Sequence, residues 1–231
     1  MSGYADYNNR LLKIYPDRHR VPLILATEEN FSEYGHFVKD YHKDKVIIKQ
    51  WPTNGWRQVM GETGLGGGIA EGKFEYKWEG NKLYAQNYAV GGVYTTGILP
   101  LSIENSDECK RGNKRGNKRK YVLTREANYH PDGGQIFYPI KLRNVPPKPF
   151  ILLLALPGDD IKLEDFVAFY FDGTLGVQIL PNIWHQPVYP IDNTAMFMTK
   201  QGKVHACIGM DSIREFEKWI EIPLEFPPEN N

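Results

Sequence analysis

Phe150-Ile151-Leu152-Leu153-Leu154-Ala155-Leu156 is the longest apolar run in the chain, and Pro157-Gly158-Asp159-Asp160 stops it. The run is far too short to span a membrane, and it has the length of a buried strand. Similar segments flank it. Tyr121-Val122-Leu123 and Gln135 to Lys141 precede it; Phe166 to Phe171, Gly176 to Leu180, Val188 to Ile191 and Ala195 to Thr199 follow. They recur at roughly 10- to 15-residue spacing with Gly, Pro, Asp or Asn between them. That rhythm predicts a β-sandwich or barrel. One helix is expected near the end. Ser212 and Glu215 have capping-box spacing, and Ile213, Phe216, Trp219 and Ile220 make an apolar stripe suited to core or dimer contact.

The first half is less regular. Residues 1–20 are polar and are expected as a loose arm. Leu23-Ile24-Leu25 is a short strand. Thr27 is placed to cap a short helix that carries Phe31 and Tyr34, and Gly35 is placed to end it. Val46-Ile47-Ile48 is a further strand candidate. Phe74, Tyr76 and Trp78 alternate, Glu79-Gly80-Asn81-Lys82 reads as a hairpin turn, and Leu83 to Val90 forms the return strand. Gly64-Leu65-Gly66-Gly67-Gly68 lacks the Lys-Ser/Thr of a phosphate loop and reads as a loop or bulge. Residues 110–120 carry seven positive charges in eleven residues but no interleaved aromatics, so a solvated loop is favoured over a nucleic-acid tail. The tail from 227 to 231 is expected to fray. No linker is visible, so residues 1–231 read as a single domain.

Lys plus Arg and Asp plus Glu both number 28, and this zero balance gives no pull toward nucleic acid or an anionic membrane. Cys109 and Cys207 are too few for a disulfide framework and are expected as thiols in a reducing compartment. The N-terminus lacks the apolar core of a signal peptide, so a cytoplasmic address is expected.

Two segments carry the candidate chemistry. One runs Asn128-Tyr129-His130-Pro131-Asp132-Gly133-Gly134-Gln135-Ile136-Phe137-Tyr138-Pro139, and the other runs from Gly176 through Leu180-Pro181-Asn182-Ile183-Trp184-His185-Gln186-Pro187. They resemble the two cupin motifs, in which metal-binding His and Glu residues converge on a barrel lumen. The fold class implied is mainly β, a cupin-type jelly-roll sandwich or barrel with a few short helices. At the ligand positions stand Asn128, His130, Gln135 and His185. A divalent metal, if bound, would take His130, Gln135 and His185. Two imidazoles and neutral amides bring no negative charge to a dication, and amide oxygens are weak ligands for transition metals. The same set suits proton transfer and hydrogen bonding to a small polar metabolite.

With Ala26 to Gly35, Glu126 to Pro139, Phe150 to Phe171 and Gly176 to Pro187 taken together, the chain resembles the ureidoglycolate lyases, cupin-fold enzymes of allantoin breakdown in purine metabolism. Leu180, Gln186 and Asn128 stand where that family carries His, His and Glu. Residues 45–120 are longer than the family's corresponding segment and read as an insertion. The resemblance implies cleavage of ureidoglycolate to glyoxylate and urea, with His130 and His185 as acid and base. Asn128, Gln135, Gln178, Trp184, Tyr138 and Arg125 are the implied substrate-binding residues, Arg125 for a carboxylate. A homodimer is the expected assembly. Alternatives are a cupin enzyme acting on another hydroxy acid or a sugar derivative, and a non-catalytic binding module.

Overall fold

The computed structural model describes residues 2–49, 55–61, 68–100, 119–141, 146–203 and 206–226, with side chains from residue 7 onward. Helix α1 (Ser2–Ile14) leads into β1 (Arg18–Arg20) and β2 (Leu23–Leu25). A single turn, α2 (Glu28–Phe31), precedes β3 (Gly35–Val38). The hairpin β4 (Ile69–Glu79) and β5 (Lys82–Asn87) is followed by β6 (Val93–Ile98). Next come β7 (Tyr121–Thr124), β8 (Glu126–Tyr129), β9 (Gln135–Pro139), β10 (Phe150–Ala155), β11 (Val167–Phe171) and β12 (Gly176–Ile179). The chain closes with β13 (Trp184–His185), β14 (Tyr189–Pro190), β15 (Thr194–Gly202), β16 (Ile208–Asp211), α3 (Ser212–Phe216) and β17 (Trp219–Pro223).

These elements make a mainly β, cupin-like sandwich. A ten-stranded sheet runs β1-β17-β7-β6-β5-β4-β15-β9-β12-β3, and a seven-stranded sheet runs β16-β8-β13-β10-β11-β2 with β14 on β10. The apolar run forms β10 as far as Ala155 and is buried over that length, at the centre of the smaller sheet. Phe150 stacks on Phe171 at 5.0 Å and meets Phe197 of the larger sheet edge-on at 5.1 Å. Aromatic pairs of this kind join the sheets and supply much of the buried apolar area. Phe31, delivered by the capped turn of α2, closes one side against Phe37, Phe169 and Phe171. Among the described residues no helix is long and apolar enough to cross a membrane.

Several local expectations change. Residues 2–20 hold a helix and a strand where a loose arm over 1–20 is expected. Leu11 packs with Ile98, Leu123, Ile213 and Trp219, and β1 pairs in parallel with β17, where Arg18 and Arg20 both reach Glu221. The C-terminal helix is shorter than the stripe suggests. Asp211, not Ser212, caps it, accepting from the Ile213 and Arg214 N–H groups, and Glu217 ends it in a left-handed conformation with φ 57°. Trp219 and Ile220 therefore belong to β17. Val46 to Ile48 contributes a single bridge, Ile48 to Gly133, rather than a strand. The return strand of the hairpin stops at Asn87. Residues 62–67, most of the basic run at 110–120, Cys109 and the tail from 227 to 231 lie outside the described residues.

Gly35 opens β3 rather than ending a helix, and close approach of the neighbouring strand explains the glycine. A Cβ there would lie 2.0 Å from the Gln178 carbonyl oxygen of the paired β12 and 2.7 Å from the Phe31 ring. Gly35→Ala should therefore open the β3–β12 edge. The expected cost is about 1–3 kcal/mol, read as a thermal midpoint lowered by roughly 2–10 °C. An unchanged midpoint refutes the close-approach account.

Candidate active site

The site is built on the pairing of β8 with β13, in which Asn128 lies directly opposite His185. Residues two apart on a strand share a face, so His130 follows Asn128 toward His185. Tyr129 and Trp184 take the other face, their rings meeting edge-on at 4.8 Å. The imidazoles of His130 and His185 meet at 4.9 Å between centroids, inclined by 70°. They are 5% and 3% exposed. Asn182 sits at φ 67°, a left-handed turn that asparagine tolerates, and its N–H donates to the His130 carbonyl. That bond ties the turn before β13 to the end of β8.

Each ring is tethered to main chain. His130 Nδ1 lies 2.9 Å from the Ala206 carbonyl oxygen, and His185 Nδ1 lies 2.8 Å from that of Ile183. A carbonyl oxygen only accepts, so both Nδ1 atoms carry hydrogen in this assignment and Nε2 is the reactive nitrogen. Burial holds both imidazoles below their ordinary pKa. The neighbouring His130 pushes His185 down further, while the Ala206 carbonyl and the Asp132 carboxylate partly offset the shift at His130. Near neutral pH these shifts keep the pair uncharged.

The larger sheet supplies the polar floor. Gln135 of β9 places Oε1 3.3 Å from His185 Nε2 and donates through Nε2 to Gln201 Oε1 at 3.1 Å and Thr199 Oγ1 at 3.4 Å. Asn128, His130, Gln135 and His185 thus lie together. Trp184 backs the pair from the opposite face, with Nε1 donating to the Gly158 carbonyl at 2.7 Å. The other nominated residues are engaged elsewhere. Gln178 bonds to Lys45, Ile47 and His36; the Tyr138 hydroxyl donates to the Lys39 carbonyl; Arg125 pairs with Asp211 and Glu126. A cavity of about 960 Å³ is lined by residues including Tyr84, Tyr94, Met196 and Pro139, and neither imidazole lines it.

Among the described residues, the donor set around Nε2 does not fit a tightly held divalent ion. It offers neutral imidazoles and an amide oxygen, and among the described residues no three His, Cys, Asp or Glu side chains are grouped to hold one. Cys207 lies nearby as a buried thiol pushed up to about 12, chiefly by burial and then by Asp132 and Glu126, which leaves it inert as a nucleophile.

Sequence reasoning misses Thr199 and Gln201, whose signal is only their alternation on β15. It also misses Arg57, which brings no local signal at all. Arg57 bonds to both Glu215 oxygens at 2.9 and 2.6 Å, donates from Nε to the Asp159 carbonyl, and lies over the Trp184 ring at 5.3 Å. Asp159 in turn accepts from the Arg57 main-chain N–H and from the Tyr129 hydroxyl, at 2.6 and 2.7 Å. The residues preceding both catalytic candidates are therefore braced by one cluster. Arg57→Gln should cost about 1–3 kcal/mol through lost charge-assisted bonds. Arg57 holds the Glu215 carboxyl below its usual range. That contribution is present above the ordinary carboxylate range and is lost as pH falls through it. The gap between wild type and variant in urea unfolding should narrow as pH drops below about 4. A gap that widens in acid overturns this assignment.

Residues 118–213 match the sequence profile of the family described as Ureidoglycolate lyase, a stretch running from β7 into α3 and holding both imidazoles. Over 78 residues the chain is 30% identical to the ureidoglycolate lyases of Salmonella enteritidis PT4, Salmonella newport and Salmonella paratyphi A. Those alignments cover 34% of this chain and 46% of each relative, so the chain spans about half the length of the curated relatives it matches. Through this segment, rather than over its whole length, the chain is similar to the ureidoglycolate lyase family.

Proposed function

We propose that the protein is a carbon–nitrogen lyase of the amidine-lyase type, cleaving ureidoglycolate into glyoxylate and urea. The observation that carries this reading is the imidazole pair at 4.9 Å, buried between the sheets inside the family-like segment. The substrate is a carbinolamide. One imidazole takes the hydroxyl proton at Nε2, the oxygen electrons form the glyoxylate carbonyl, and the carbon–nitrogen bond breaks toward the urea nitrogen. The same proton is returned from the imidazole pair to that nitrogen, so no proton or electron is gained or lost overall. Tethering of both Nδ1 atoms directs Nε2 of each ring to the reacting atoms. With the rings this deeply covered, substrate reaches them only by displacing the groups packed over them.

A second reading has one observation in its favour. Arg125, the sequence candidate for a substrate carboxylate, is paired with Asp211 and Glu126, and the amides beside the imidazoles are neutral. Such a site suits a less acidic small hydroxy compound or sugar derivative. Release of urea and glyoxylate by the purified protein decides between them. His185→Ala and His130→Ala should each lower kcat/KM by about 10²- to 10⁴-fold, the usual contribution of a general acid or base. Wild-type protein inert toward both enantiomers of ureidoglycolate refutes the lyase reading.

A further inference from the structure

Asn87 ends β5, outside the family-like segment, and is 3% exposed. Its Oδ1 accepts from the Ala89 main-chain N–H at 2.9 Å, and from that of Val90 at 3.4 Å. Its Nδ2 donates to Gln201 Oε1 at 3.2 Å. The same Gln201 oxygen accepts from Gln135 Nε2, and Gln135 Oε1 ends the series 3.3 Å from His185 Nε2. All three amides are nearly sealed from solvent, Gln201 at 1% and Gln135 at 4% exposed.

A primary amide donates from nitrogen and accepts at oxygen, so each link dictates the orientation of the next. The anchor is a main-chain N–H, which can only donate. It is also well fixed. The turn after β5 lies against Gly72, where a Cβ would come within 2.7 Å of the Ala89 nitrogen, and the Tyr88 N–H donates to the Lys73 carbonyl. Reversing Gln135 alone would set its oxygen against the Gln201 oxygen. The whole series therefore keeps one polarity, and that polarity ends with an oxygen at His185.

We propose that Asn87 is a positioning residue for His185: through Gln201 and Gln135 it keeps an oxygen, rather than an NH2 group, against Nε2. The consequence follows from the other side of the ring. Nδ1 faces the Ile183 carbonyl, so both nitrogens of His185 face acceptors, while a neutral imidazole carries one hydrogen. The nearer carbonyl takes it, and the Nε2 lone pair is left with no donor from Gln135. Among the described residues, His130 of the β8 end also lies against the ring, and Asp132 acts on His130 from beyond it. An NH2 group in place of the Gln135 oxygen would occupy the lone pair that must accept the substrate's proton. This proposal rests on reading His185 as the proton-transfer group of the lyase reaction.

Asn87→Asp tests it. The carboxylate still accepts from Ala89 but cannot donate, so Gln201 and then Gln135 must turn, and an NH2 group then donates to Nε2. In protein labelled with 15N-histidine, the His185 Nε2 signal should shift toward that of a nitrogen accepting a hydrogen bond. With ureidoglycolate, kcat of Asn87→Asp should fall about 10- to 100-fold, the loss typical of outer-shell partners of functional imidazoles, while KM holds. A folded Asn87→Asp protein with the wild-type Nε2 signal overturns the proposal. So does a through-hydrogen-bond coupling between the Gln135 NH2 group and His185 Nε2 in the wild type, which needs no variant to fold. The ring signals require no substrate, so absent lyase activity would count against the proposed reaction and not against the amide series.

Discussion

The antiparallel contact between β8 and β13 is the constraint on which the site depends. It covers very little sequence, with Asn128 opposite His185, yet it decides which faces meet. Because side chains alternate, a slip of one residue would send the imidazoles to the Tyr129 and Trp184 side and break both aromatic pairs. The register is held from outside the two strands. Asn182 ties its turn to the His130 carbonyl, and the Arg57–Asp159 cluster grips Tyr129 and Trp184 on the reverse face. β10, buried throughout, pairs with β13 through Leu154 and His185 and anchors the assembly in the apolar core.

Burial then sets the chemistry. A carboxylate in the place of Gln135 would attract metal or stabilise an imidazolium, and the neutral amide does neither as strongly. With desolvation unopposed by a formal charge in contact with His185, the uncharged ring is favoured. The site thus resists a lasting positive charge, and in the proposed reaction a proton taken up by the pair would be returned rather than retained. Asp132, two residues beyond His130, raises the affinity of that ring for the proton, so the two imidazoles are electrostatically unequal despite similar tethers.

Much of the second half of the fold is legible in the sequence, because its information is local. An unbroken apolar run, alternating aromatics and Gly or Asp turns each specify a strand without reference to distant residues, and β7, β9 to β12 and β15 lie where that rhythm places them. The convergence of Asn128, His130, Gln135 and His185 is legible for a different reason, the resemblance of their two segments to paired motifs. What escapes is non-local. The amphipathic character of α1 has meaning only beside Ile98 and Trp219, and the apolar stripe after Ser212 looks helical until β7 and β1 take Trp219 and Ile220 into a sheet. Gln178 and Tyr138 share strands with motif residues, but their polar atoms are claimed by Lys45, His36 and Lys39, partners that no motif includes.

The segment that looks like an insertion is not peripheral to the site. β4 pairs along the length of β15, the strand that carries Thr199 and Gln201, and Arg57 and Met60 from the same region reach Asp159, Glu215 and the Cys207 carbonyl. A larger sheet floor means more buried amides behind the imidazoles, and a buried amide must have its partners satisfied or it costs stability. The hairpin satisfies them by adding Asn87 at the end of the series. The hairpin and the amides beside the imidazoles are therefore physically linked: buried amides need hydrogen-bonded support, and β5 supplies it through Asn87.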